Sequence, residues 1–88
     1  MDYKKLAIEI MENVCETDEV SEDLDMDLFE AGLIDSLSVI NILLEIENKL
    51  GIRLQITDLE KSDISTINNF ETFLKKGVKT TNNDKKNN

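Results

Sequence analysis

Apolar residues in this chain recur at intervals of three and four in three separate segments and alternate in only one short stretch, and a lone strand has nothing to pair with. That confines the chain to an all-α fold. Tyr3, Leu6, Ala7, Ile10, Met11 and Val14 predict an amphipathic helix over 3–16. The clearest helix spans 36–50 and ends at Gly51, a natural residue for the left-handed position that follows a helix. Ile52, Leu54 and Ile56 alternate with Arg53 and Gln55, and without a partner strand they read as an extended loop. Thr57 and Glu60 have the spacing of a capping box and predict a short helix of about two turns before Ser62–Ser65. Thr66 caps a final helix that carries Ile67, Phe70, Phe73 and Leu74 at core spacing, with Gly77 closing it. The expected architecture is a small bundle of three main helices plus one short helix, with a long loop between helices 1 and 2.

The long loop, 17–35, is rich in acids and is pinned to the core by Val20, Leu24, Met26, Leu28, Phe29, Leu33 and Ile34. Loops of this length without regular structure are uncommon unless they serve a function. At 88 residues the chain has room for one hydrophobic core, placed here in a domain over 1–76. After Val78 no apolar residue follows, so 77–88 is expected to be a disordered tail. Cys15, the single cysteine, falls beside the stripe of the first helix and reads as a small buried hydrophobe. It cannot form an internal disulfide, which suits a reducing compartment. No apolar run reaches the ~18 residues of a membrane span and no secretory signal opens the chain, so the expected location is the cytoplasm without membrane insertion.

The charge is unevenly placed. Residues 1–74 hold 18 acids against five bases, Lys4, Lys5, Lys49, Arg53 and Lys61, for a balance of −13. Such a body is repelled by nucleic acid and by anionic membranes. Docking onto basic patches of other proteins fits it, as does a merely soluble acidic surface.

Several chemistries are excluded. The chain has no histidine, so neither Ser-His-Asp nor Cys-His nucleophilic sites can be built. Zinc finds no suitable set of four ligands. Asp23, Asp25 and Asp27 occupy positions 1, 3 and 5 of a calcium loop, but Leu28 stands at position 6 where glycine is needed and Ile34 at position 12 where glutamate is needed. No catalytic residue and no metal site is assigned, and the chain is not expected to be an enzyme.

Gly32-Leu33-Ile34-Asp35-Ser36-Leu37 lies between the acidic loop and the second helix. A serine in the first turn of a helix is well placed to carry a phosphate ester, because the helix dipole and the first-turn amides favour an anion there. Asp35 as an ordinary N-cap with Ser36 as a tolerated neighbour explains the same residues. On a helical wheel Val39, Ile42, Leu43, Ile46 and Leu50 form the core face, with Ser38, Asn41, Glu45 and Lys49 toward solvent. Leu37, Ile40 and Leu44 form a second apolar sector roughly 130° away, near Ser36 and Glu47. Either later helices cover that sector or it docks a partner.

The segment Asp27-Leu28-Phe29-Glu30-Ala31-Gly32-Leu33-Ile34-Asp35-Ser36-Leu37, with the apolar helix after it, resembles the acyl and peptidyl carrier protein family. The resemblance runs from about Leu6 to Leu74, the whole expected domain. It implies a carrier-protein-like bundle bearing 4′-phosphopantetheine covalently on Ser36, with Asp35 positioning the motif. It also implies that the second helix, through Leu37, Ile40, Leu44 and Glu47, recognises partners. Those partners would be a phosphopantetheinyl transferase, an acyl- or D-alanine-activating ligase and a downstream acyl transferase, acting on a monomer. The Phe29-Glu30 to Asp35-Ser36 stretch, with Leu54-Gln55-Ile56-Thr57-Asp58-Leu59 and Thr66-Ile67-Asn68-Asn69-Phe70, is more similar to D-alanyl carriers of teichoic acid modification than to fatty-acid carriers. Fatty-acid, polyketide or nonribosomal-peptide carriers remain open. So does an unmodified acidic helical adaptor that uses the apolar strip alone.

Overall fold

Four helices and two single 3₁₀ turns make up the regular structure in a computed structural model that describes residues 2–86, with side chains over 2–76. Helix α1 is Tyr3–Cys15, α2 is Ser36–Leu50, α3 is Lys61–Ile64 and α4 is Ile67–Lys86; the turns are Glu19–Ser21 and Ile56–Asp58. Among the described residues there is no strand, and 52–56 runs as a loop until Ile56 enters its turn. Helix α1 packs on α4 and α2, and α3 packs on α4.

Helix α1 begins because the Asp2 carboxylate accepts the Lys5 amide at 3.0 Å, satisfying one of the unpaired donors of the first turn. It stops at Glu16, which takes the left-handed conformation (φ 57°) usually left to glycine. The core is built from Ala7, Ile10 and Met11 of α1, Ile42 and Ile46 of α2, Ile64 of α3 and Ile67, Phe70 and Leu74 of α4. Val20, Leu28 and Ile34 add buried side chains from the long loop. The anchors expected in that loop are all buried or half-buried.

The loop is also hydrogen-bonded to the far side of the bundle. The Leu28 amide donates to the Ser65 carbonyl at 2.7 Å and the Asn68 amide to the Leu24 carbonyl at 3.2 Å. The Asn68 side chain reaches Asp25 Oδ1 at 2.6 Å. Backbone pairing of this kind turns a long connection into fixed structure.

The expected face of α2 is narrower in fact. Ile42 and Ile46 are fully buried, while Val39, Leu43 and Leu50 are only half-buried, because a bundle this small cannot cover the helix broadly. Gly51 ends the helix as expected, at φ 70°, with its amide donating to the Glu47 carbonyl at 2.8 Å.

Two expectations are corrected. The predicted two-turn helix after Thr57 is absent, because Leu59 is extended and separates the Ile56–Asp58 turn from the one-turn α3. The Thr57–Glu60 pairing gives way to two others: the Gln55 amide donates to Asp58 Oδ2 at 2.8 Å and the Glu60 amide to Asp63 Oδ2 at 2.9 Å. Each carboxylate starts its own turn, and Leu59 drops into the core between them. Thr66 does cap α4, accepting the Asn69 amide at 3.0 Å, but α4 continues past Gly77 to Lys86. A glycine permits a helix to stop without forcing it, at about 1 kcal/mol relative to alanine when the helix continues. Side chains beyond Lys76 and residues 87–88 lie outside the described residues, and over 77–86, within the tail expected to be disordered, the backbone is helical.

Candidate functional site

Asp27 organises the approach to Ser36. Its Oδ1 accepts the amides of Phe29 at 3.0 Å and Glu30 at 3.1 Å, folding the chain into a turn. Gly32 closes the turn at φ 76°, a conformation that side-chain-bearing residues rarely adopt. The Leu33 amide then returns to the Leu28 carbonyl at 2.9 Å. Leu28 and Ile34 are buried on either side, so the residues that follow start from an anchored base.

Asp35 is extended and caps α2: its Oδ1 accepts the amides of Leu37 at 3.0 Å and Ser38 at 3.1 Å. Ser38 completes the box, its hydroxyl oxygen accepting the Asp35 amide at 3.0 Å. Ser36, the first residue of the helix, is exposed, and among the described residues its hydroxyl has no hydrogen-bond partner. The first-turn amides expected to favour an anion at Ser36 are therefore partly committed, since Asp35 already holds two of them. The role of Ser38 was missed from sequence. Its signal was the three-residue spacing from Asp35, obscured because glutamate or glutamine is the usual partner at that position.

A groove of about 530 Å³ opens beside the serine. Phe29, Ile34, Val39, Ile56, Leu59 and Ile64 form its apolar lining, and Asp35, Ser36, Glu60 and Lys61 its polar lining. The Lys61 ammonium stands 4.9 Å from the centre of the Phe29 ring. No sequence pattern marked Lys61 as part of a site or joined it to Phe29, since 32 positions separate the two and only folding brings them together.

The second apolar sector of α2 is uncovered among the described residues. Leu37 is 74%, Ile40 51% and Leu44 52% exposed. Coverage by later helices is thereby removed as an explanation. Glu47 is half-buried and ion-paired with Arg53 at 3.0 Å, so its charge is partly neutralised by the loop that follows α2.

Cys15 is half-buried, and burial pushes its thiol above the ordinary value, which suppresses the reactive thiolate. Among the described residues no group of three or more metal-ligating side chains occurs, and no helix is long and apolar enough to cross a membrane.

The serine suits a bulky ester. Its hydroxyl is exposed, gives up no hydrogen bond among the described residues on modification, and opens beside a groove with apolar walls. Residues 6–74 match the family model described as the phosphopantetheine attachment site. Proteins named D-alanyl carrier protein from Bacillus cereus (strain B4264) and Bacillus anthracis (strain CDC 684 / NRRL 3495) are each 39% identical over 67 residues, 76% of this chain and 85% of theirs. The family carries 4′-phosphopantetheine as a covalent group and functions in acyl or aminoacyl carriage. With its helical bundle, its exposed serine and a match over most of its length, the chain belongs to the phosphopantetheine-binding carrier protein family.

Proposed function

We propose that Ser36 carries the phosphopantetheine and that the cargo is D-alanine. The observation that carries this reading is Ser36 itself, an exposed, unbonded hydroxyl at the start of a helix whose first turn is fixed by Asp35 and Ser38. A phosphopantetheinyl transferase passes the group from coenzyme A to the Ser36 oxygen. Bound there, the group supplies a terminal thiol that holds cargo as a thioester. The chain supplies the rest: Asp35 holds the backbone of the attachment turn, and Leu37, Ile40, Leu44 and Glu47 offer a surface to partner enzymes. A ligase that activates D-alanine and a downstream acyl transferase are those partners. The D-alanyl part is supported by the two Bacillus relatives and by the motif around Phe29–Ser36. The carrier domain is 1–76, a cytoplasmic monomer that performs no catalysis of its own.

Intact mass tests the site. Apo protein incubated with a broad-specificity transferase, magnesium and coenzyme A should gain one phosphopantetheine in wild type and none in Ser36→Ala. A gain in Ser36→Ala sinks the assignment. Holo protein then incubated with a D-alanine-activating ligase, ATP and D-alanine should gain one alanyl group that hydroxylamine removes.

A further inference from the structure

A phosphate ester at the start of a helix ordinarily draws on the first-turn amides and the dipole. Here the Leu37 and Ser38 amides are held by Asp35 at 3.0 and 3.1 Å, and the Asp35 carboxylate adds negative charge at the same turn. Of the charged side chains lining the groove beside Ser36, Asp35 and Glu60 are acids and Lys61 is the base. Lys4, Lys49, Arg53 and Lys75 each pair with a carboxylate. Among the described residues Lys5, Lys61 and Lys76 have no such pair, and of these Lys61 lines the groove, its ammonium 4.9 Å from the Phe29 ring centre. A cation over a ring keeps its N–H donors available to an anion, as one locked on a carboxylate does not.

Resting on the reading of Ser36 as the attachment residue, we infer that Lys61 is a positioning residue that binds the phosphodiester of the arm and draws it to the α3 side of the groove. A diester offers one negative charge and only acceptor oxygens, which a lysine point charge with three donors matches. Asp35 and Glu60 repel the same phosphate, so the lysine sets its direction as well as its hold. The arm then leaves Ser36 over Ile56, Leu59 and Ile64. The strip of Leu37, Ile40 and Leu44 stays clear for a protein partner.

The test compares holo wild type, Lys61→Met and Lys61→Arg by phosphorus NMR, after intact mass has established one phosphopantetheine on each. In wild type and Lys61→Arg the phosphorus resonance should move as salt rises from about 0.01 M to about 1 M, over which screening shortens from roughly 30 Å to 3 Å. In Lys61→Met that salt-dependent shift should be lost. The apo-to-holo changes in the Ile56 and Ile64 methyl signals should shrink with it. The same phosphorus shift and salt response in wild type and Lys61→Met overturns the inference while leaving Ser36 standing. Wild type that gains no mass overturns both. Thermal melts establish that each variant is folded, and Lys61→Gln replaces Lys61→Met if the latter is not.

Discussion

Asp35 and Ser38 hold each other across the first turn of α2. Asp35 Oδ1 lies 3.1 Å from the Ser38 amide, and the Asp35 amide lies 3.0 Å from the Ser38 hydroxyl oxygen. Ser36 sits inside this clasp but takes no part in it, so its hydroxyl is free while its backbone is fixed. Modification of the serine need not disturb the turn, and loss of the clasp should disturb the serine without touching its hydroxyl.

Asp35→Ala removes the acceptor for two amides, and a lost N-cap costs about 1 kcal/mol. For a domain of this size that lowers Tm by roughly 4–8 °C. Asp35→Asn keeps an acceptor oxygen and should lower Tm much less. If the charge also serves modification, Asp35→Asn will slow the transferase while melting near wild type; an unchanged rate would restrict Asp35 to its structural role.

Ile40→Asp and Leu44→Asp replace side chains that are 51% and 52% exposed. Folding stability should change by less than about 0.5 kcal/mol, as for most surface substitutions. Loading by the ligase should fall, with the loss in KM if docking is the affected step. Normal loading kinetics for both variants would remove the strip from the partner surface.

Phe70 is fully buried and its ring stacks with Phe73 at 6.4 Å between centres. Phe70→Ala should cost about 3–5 kcal/mol through lost burial and the cavity left behind. A small domain has roughly 5–15 kcal/mol in total. Urea denaturation should therefore show a large fall in midpoint, and a change under about 1 kcal/mol would mean that the core rests elsewhere.

Burial raises the Cys15 thiol, so the folded state favours its neutral form. The resulting stability is complete below the unfolded thiol value and is lost as pH rises through the folded one. Denaturation midpoints measured between about pH 8 and about pH 10, the range around the ordinary thiol value, should fall more steeply for wild type than for Cys15→Ala. Parallel curves would show that the thiol ionises equally easily folded and unfolded.

The long helices and the Asp35-Ser36 helix start were legible in the sequence because each is encoded locally. Tyr3 to Val14 and Ile67 to Leu74 repeat at helical spacing, and Asp35-Ser36 stands where an apolar run begins. The segment after Ile56 was misread because two acids, Asp58 and Asp63, take the amides of Gln55 and Glu60 and start two very short helices in place of the Thr57–Glu60 pairing. In so short a segment, propensity cannot decide between frames one or two residues apart, and burial of Leu59 does. The groove was illegible for a different reason. Phe29 and Lys61 are distant in sequence, and their contact exists only once the loop is tied to Ser65 and Asn68.

Leu37, Ile40 and Leu44 remain largely in water while Ile42 and Ile46 of the same helix are sealed in the core. One rod thus serves two masters that make no demands on each other. Substitutions on the outer strip can accumulate, be tested and be discarded at no expense to the fold. On the docking role proposed for that strip, a lineage can re-address such a protein to new enzymes by rewriting three surface letters, and the inner residues will still specify the same bundle.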